Sequence, residues 1–518
     1  MCSAPGDTFA FAGLLFDRVD VRDQALRSAP PDCLTDLCLD QVIETIMPGE
    51  QEPAKAFFYC PQPTIEAITA RQQLLRDIEQ PFLFDAFQTF CTAIGRVRNL
   101  VAQAGRTYYR RAREARLLDA AQTYFATVRE LHRRLCAAQL HATRLRTLRQ
   151  CLTGYVESAW FRRAEQAEAQ TRAQLREIRY CVRIKGQRVH VFGYEGEADF
   201  SATVADLFTR LHPVRPTEFP ESPDETSAMD HVQAAILDRV ARLYPRAFSA
   251  LDMFCSAYPD LLGPGVERLD ADLRFCLACL RFVQDFRAAG FAWCYPEVVQ
   301  RPETVYASGS FDPALAHRLR ATGNPIVRND FHLSPAERLI VLTGPNQGGK
   351  TTFATLFGQL HYLAGLGLPV PATAARLARF DRIHTHFGRR EHLADLRGGL
   401  ESELRHLHRI AETATPDSIV ILNEAFSSTS TADAVSLGTR FIRLLLARRV
   451  LGVYVTFLDE LAAEDTGIVS MIAEFDTGTP PEPSYRIRRG PPCGRLHASM
   501  LAARHRLSYR DVIERIAR

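Results

Sequence analysis

The chain has 518 residues, 46% hydrophobic and 24% charged, with a formal net charge of only +3. That length holds two to four domains with ample cores, and the composition excludes a disordered chain. The near-neutral balance does not announce a nucleic-acid binder, although local basic patches can still serve.

No run approaches the ~18 apolar residues that a membrane helix needs. Met1 to Phe16 lacks the basic start and long apolar core of a secretion signal. A cytoplasmic chain without membrane association is expected. The 13 cysteines are odd in number and scattered. Cys276 and Cys279 form one CxxC with no answering pair, inside a helical pattern, and read as core packing with reduced thiols.

In chain order, residues 1 to about 50 mix short apolar pieces with Pro30-Pro31 and an acidic, apolar run from Leu34 to Ile46. Residues 64–104 show helical periodicity, as does the stretch from Leu117 to about Arg179, rich in Ala, Leu, Arg, Glu and Gln. Long helices, arranged as an arm, are expected there. Tyr180 to Ile184, a turn at Lys185-Gly186-Gln187, and Arg188 to Tyr194 read as a β-hairpin. Pro213, Pro216, Pro220 and Pro223 mark a loop. Helical patterns resume from about Ser227 to Ala289, and Pro296, Pro302 and Pro313 punctuate the passage to the last third. There, strand and helix candidates alternate: Arg338 to Thr343 (strand), Thr351 to Leu366 (helix), Ser418 to Leu422 (strand), Ala432 to Arg448 (helix) and Val450 to Thr456 (strand). This is the rhythm of an α/β domain.

Residues Gly344, Pro345, Asn346, Gln347, Gly348, Gly349, Lys350 and Thr351 fit G-x-x-x-x-G-K-[ST], between a strand and a helix, the context that gives the motif meaning. Glycines let backbone N–H groups turn inward around phosphate oxygens, and the helix start adds its positive dipole end. Of the 63 basic residues only Lys55, Lys185 and Lys350 are lysines. A compact ammonium fits between phosphate oxygens where a planar guanidinium does not. Lys350 should reach the β- and γ-phosphates of ATP, and the Thr351 hydroxyl should ligate Mg²⁺. Thr352, which continues the loop into the helix, is a further ATP-binding candidate.

A second piece follows the strand Ile419-Val420-Ile421-Leu422. Glu424 is placed to orient or deprotonate the attacking water. Asn423 stands at the metal position, where an aspartate is usual; its neutral amide offers the cation less charge. The run Ser427 to Asp433 follows at once. It reads as a turn and helix cap, and Ser428, Thr429, Ser430 and Thr431 are also candidates to face the nucleotide of a partner subunit.

These residues resemble the ATPase domain of the MutS DNA mismatch-repair family. The family's GPNMGGKST loop is GPNQGGKTT here, and its DE followed by a TST turn is NEAFSSTSTAD. The element before its ATPase strand is similar to residues 325–333 (PIVRNDFHL), which adds Ile326 and Val327 as ATP contacts. More loosely, residues 65–77 resemble the opening of the family's helical core. The helices beyond would be its lever, the hairpin near 180–197 part of its clamp, and Tyr295-Pro296-Glu297 the return to the core. Residues 494–502 and 512–518 resemble its closing helices, cut short.

The resemblance implies a C-terminal α/β P-loop NTPase domain (ABC/MutS-like) and a mostly α-helical core and lever with a small β clamp-like element. The expected domains are an N-terminal segment at 1–50, a core and lever at 51–320, and an ATPase domain at 321–518. It implies ATP, Mg²⁺, DNA and a homodimer. With little room upstream for mismatch-reading and connector domains, and no Phe-x-Glu in the N-terminal region, a mismatch sensor is not expected. Three departures bear on hydrolysis. The family's Thr-His pair is Thr456-Phe457, its trans-acting signature serine aligns with Gly398, with Ser402 near but shifted, and Asn423 replaces the acid.

For DNA, Arg183, Lys185 and Arg188 charge the hairpin turn and are candidates for phosphate contact without sequence readout; a solvated face is an equal reading. The cluster Tyr108, Tyr109, Arg110, Arg111, Arg113 and Arg116, with Arg133, Arg134, Arg144, Arg146 and Arg149, reads rather as a solvated face of an arginine-rich chain. Three functions are in play: a MutS-like homodimeric ATPase switching a DNA-holding arm, a non-hydrolysing ATP-binding switch or scaffold, and a transport- or chromosome-type ATPase with a similar head. The GPN and TST elements favour the first over the third.

Overall fold

The computed structural model describes residues 9, 11–16, 18–49, 53–186, 188–197, 231–300, 303–388, 399–462, 466–475, 483–492 and 513. The proline-rich loop of 213–223, Gln187, Gly398 and the segment 494–502 lie outside them, as does 512–518 apart from Ile513. The chain divides into two compact units. One takes in Met1–Leu14, Pro81–Leu140 and Leu145–Leu273, the other Leu15–Gln80, His141–Arg144 and Arg274–Arg518.

The first unit is built on helices. α5 (Pro81–Arg106) and α6 (Arg110–Ala137) place Leu83, Phe87, Phe90, Ile94 and Val97 on one buried stripe and Leu118, Tyr124, Phe125, Val128 and Leu131 on another. That is the 3.6-residue spacing of amphipathic helices. α7 (Thr143–Glu157) and α8 (Ala159–Arg176) follow. The periodic stretch read from Leu117 thus begins earlier and is cut twice. The first cut is tied down where Asp77 accepts the backbone N–H groups of His141 and Ala142, both at 2.7 Å. The second is capped by Ser158, whose hydroxyl accepts from the Phe161 amide at 3.1 Å. Tyr124 and Tyr155 share a buried hydroxyl–hydroxyl bond of 2.7 Å.

The hairpin forms as read. β1 (Tyr180–Lys185) pairs antiparallel with β2 (Arg188–Gly193), with Lys185 opposite Arg188, and Gly186 supplies φ +63° in the turn. Side chains alternate across a strand. Arg183, Lys185, Arg188 and His190 therefore share one face, and Val182, Ile184, Val189 and Val191 the other.

The second unit holds a six-stranded sheet in the order β12-β11-β6-β10-β9-β8. β8 (Ile383–Phe387), β9 (Ile419–Asn423), β10 (Leu451–Val455), β6 (Leu339–Thr343) and β11 (Ile468–Phe475) run parallel, and β12 (Pro483–Arg489) closes the edge antiparallel. A parallel sheet covered on both faces needs near-continuous apolar strands; β6 and β10 are buried throughout, and β9 up to Asn423. β9 and β10 begin one residue after the expected starts. α15 (Thr431–Ala447) begins one residue early, because Ser430 caps it and accepts from the Asp433 amide at 3.2 Å.

A four-stranded sheet lies in the same unit, ordered β3 (Glu297–Val299), β7 (Ala374–Ala378), β4 (Val305–Ser310) and β5 (Asn329–Leu333). Pro313, expected to punctuate, instead opens α12 (Pro313–Thr322) behind the cap Asp312, as proline can at a first helical position. α13 (Lys350–Gly365) runs from the glycine loop, and every residue from Phe353 to Gly365 is buried. Gly358 lets it close up: a Cβ there would come within 2.5 Å of Leu37 and 2.7 Å of Ile421. Cys276 and Cys279 are buried on α11 (Pro264–Ala288), and burial raises the Cys279 thiol far above its ordinary range.

Candidate nucleotide site

β6 ends in the glycine loop, and α13 starts at Lys350. The loop turns through left-handed backbone at Gly344 (φ +127°), Gln347 (φ +64°) and Gly349 (φ +88°). Only glycine takes such angles freely; Gln347 holds one with a side chain. Close approach is a second reason for glycine: a Cβ on Gly348 would fall 2.9 Å from the Ala473 Cβ. Asn346 and Gln347 are exposed, while Pro345 and Thr352 are half-buried.

Lys350 is 4% exposed. Its Nζ donates to the carbonyl oxygens of Gly344 and Pro345, both at 2.8 Å, and stands 4.3 Å from the centre of the Phe457 ring. Burial lowers its pKa to about 8, against the opposing pull of the Glu424 charge. Thr351 Oγ1 donates to Asn423 Oδ1 at 3.0 Å, so the loop and the end of β9 meet through the two expected metal ligands. Those oxygens suit a hard cation, although Asn423 contributes a dipole and no charge.

Glu424 leaves β9 in left-handed backbone, φ +58°, with its amide donating to Val455 O at 2.9 Å. Phe426 is also left-handed, φ +64°. The turn that follows is held by Glu403, on α14 (Gly399–Thr413). Glu403 Oε1 accepts from the Phe426 amide at 2.7 Å and from His386 Nε2 at 2.9 Å; Oε2 accepts from the Ser428 hydroxyl at 3.1 Å. Burial raises the Glu403 carboxyl, but these donors, His386 foremost, outweigh it and hold the group below its ordinary range. Ser402, one residue earlier, is exposed. Thr429 is half-buried and its amide donates to Phe426 O at 3.4 Å; Ser430 and Thr431 start α15.

Ile326 and Val327 are half-buried just ahead of β5. Asn329 then joins β5 to β12: its Oδ1 accepts from the Ile487 amide at 2.8 Å and its Nδ2 donates to Tyr485 O at 3.1 Å. This fixes Tyr485, left-handed at φ +58°, beside Gly349.

Sequence reasoning thus picked out the loop, Asn423, Glu424 and Phe457, but missed Glu403, His386, Asn329 and Tyr485. Glu403 had no signal separating it from the other carboxylates of an exposed-looking helix.

Arg183, Lys185 and Arg188 belong to the other unit, where Lys185 and Arg188 are exposed and the Arg183 guanidinium lies 5.2 Å from the Phe192 ring centre. On α6 the cations are largely committed. Arg110 and Arg111 pair with Glu114 and Asp252, and Arg133 and Arg134 with Glu130. No helix among the described residues is long and apolar enough to cross a membrane.

Residues 340–475 match the family model of MutS domain V, the MutS ATPase domain. The expected resemblance and fold class are borne out: a P-loop α/β domain towards the C-terminus and a mostly helical N-terminal region with a small two-stranded sheet.

Proposed function

From a chain that carries a MutS domain V, we propose a MutS-like, homodimeric ATPase that binds ATP with Mg²⁺, hydrolyses it slowly and uses the nucleotide to switch a DNA-holding helical arm. The observation that carries this reading is the Thr351–Asn423 contact. It joins the glycine loop, with Lys350, to the strand end that bears Glu424.

Lys350, which donates to its own loop carbonyls, turns the same N–H groups to the β- and γ-phosphates. Thr351 and Asn423 are the residues that would hold Mg²⁺, which would supply positive charge to offset that of the phosphates. Glu424 orients the attacking water and takes its proton. The loop N–H groups and the start of α13 steady the phosphates. Ser428 to Thr431, with Ser402, are assigned to the partner's nucleotide. Ile326 and Val327 are assigned to the base end of ATP, and the basic hairpin face with Arg183, Lys185 and Arg188 to DNA phosphates.

Two observations favour a second reading, an ATP-binding switch that does not turn over. Asn423 brings no charge to the metal, and Phe457 covers Lys350 with a ring that cannot hydrogen-bond a phosphate. Steady-state ATPase assays with and without duplex, forked, junction and mismatched DNA, beside direct ATP-binding measurements, test both readings. Slow turnover that DNA modulates supports the first; tight binding without turnover leaves the second; no ATP binding removes both.

A further inference from the structure

Glu424 can direct a water molecule only if the backbone beneath it is fixed, and that backbone is unusual. Glu424 and Phe426 both lie in the left-handed region with φ of +58° and +64°, which non-glycine residues hold only when their surroundings enforce it. The enforcement comes from two elements. Val455 O accepts from the Glu424 amide at 2.9 Å, the Tyr454 hydroxyl donates to Ala425 O at 3.3 Å, and Glu403 receives the Phe426 amide and the Ser428 hydroxyl. The first two contacts come from β10, the neighbour of β9 in the sheet. Glu403 reaches the turn from a separate helix, and Phe426 is 2% exposed, so its amide has no ready solvent substitute.

Glu403 is itself fixed. His386, on β8 in register with Leu422 of β9, donates to the same oxygen that receives the Phe426 amide. The carboxylate is thus anchored to the sheet at one end and to the turn at the other. Chelation of two donors from Phe426 and Ser428 pins the turn's rotation as well as its distance.

We propose that Glu403, oriented by His386, is a positioning residue that holds the Glu424 carboxylate in its hydrolytic pose; this rests on the ATPase reading above. Loss of the Glu403 carboxylate frees the turn to relax towards ordinary backbone and swings Glu424 away from the γ-phosphate. ATP binding through the glycine loop is untouched.

The test measures turnover, ATP affinity and amide hydrogen exchange across 423–428 in the full chain. Glu403→Ala should lower kcat about 10- to 100-fold, the cost of a small misplacement of a reacting group, with ATP affinity within about threefold, and it should speed exchange at Phe426. Glu403→Gln, which keeps an acceptor for Phe426 and His386, should restore most of the rate. Glu403→Ala combined with Glu424→Gln should be no slower than Glu424→Gln alone, because the two act as one unit. Unchanged kcat in Glu403→Ala, an additive double variant, or kcat and ATP affinity lost together would each overturn the proposal. If the wild type does not turn over, the hydrolysis reading falls by itself and exchange judges Glu403: faster exchange restored by glutamine supports its hold on the turn, and unchanged exchange overturns it.

Discussion

The Lys350 ammonium lies 4.3 Å from the centre of the Phe457 ring, and the same ammonium bonds two carbonyl oxygens of its own loop. The one lysine of the glycine loop is therefore covered by an aromatic face, at the position that the resemblance to MutS aligns with a histidine. Cation–π contacts contribute about 0.5 to 2 kcal/mol, the more the drier the site; here the ammonium is buried and the ring is 44% exposed. Phosphate must compete for this cation with the loop carbonyls and the ring.

Its lowered pKa makes ATP affinity depend on pH. Burial puts the lysine near pKa about 8, and phosphate favours the charged form, so binding above that pH takes up a proton. Affinity should be flat below pH 8 and fall as pH rises above it, approaching about tenfold per unit. Protein stability moves the other way. The folded value lies below the ordinary 10.5, so the unfolded chain binds more protons between the two, and this lysine's contribution rises with pH across that window and is lost as pH falls through about 8. Titrations from pH 7 to 9.5 in buffers of different ionisation enthalpy detect the uptake. Lys350→Ala should weaken ATP binding by about 10- to 100-fold, the scale of a lost charge-assisted hydrogen bond, and abolish the pH dependence. Lys350→Arg should not rescue it.

At the proposed metal position, Asn423→Asp adds a negative charge to an oxygen that already meets Thr351. The Mg²⁺ concentration for half-maximal turnover should fall by several-fold. Glu424→Gln should cut hydrolysis to a small residual rate while ATP binding persists. An unchanged Mg²⁺ dependence in Asn423→Asp would mean that the residue does not address the metal.

Replacing the ring tests what it restrains. Phe457→His supplies a donor to the γ-phosphate and removes most of the aromatic cover that competes for Lys350, so kcat should rise several-fold and ATP affinity should rise by about 2- to 30-fold. A rate that does not move would place the limiting step elsewhere, in product release or in the neutral Asn423.

Assembly gives an independent check. If Ser428 to Thr431 complete a partner's site, nucleotide binds the dimer more tightly and shifts the equilibrium by linkage. Sedimentation at several concentrations should show ATP and Mg²⁺ raising the dimer fraction, more strongly in Glu424→Gln, where ATP is barely consumed. A monomer under every condition would remove the composite site.

The sheet and the loop were legible because their causes are local. The buried runs of β6, β9 and β10 leave no polar alternation, and the loop's glycines stand between strand and helix. The hairpin was legible because Gly186 marks its turn. What stayed hidden depends on partners distant in sequence. Gln359 donates to Leu37 O at 2.9 Å, Asn329 bridges to β12 across 158 positions, and Glu403 caps a turn 23 residues on. Periodicity reports which face of an element is buried, but not what covers it. A half-buried acceptor on α14 is spelled like any solvated glutamate.

The burial of α13 on all sides has an evolutionary consequence. A helix with one wet face can drift there at little cost, but the stretch from Phe353 to Gly365 has no such face. Its residues can change only in concert with their neighbours. Gly358 is the sharpest case, because a methyl group at that position needs space now filled by Leu37 and Ile421. Across related chains, growth at position 358 should therefore be accompanied by shrinkage at 37 or 421. This would appear as a covarying pair linking the N-terminal turn at Leu37, or β9 at Ile421, to the helix that presents the nucleotide lysine.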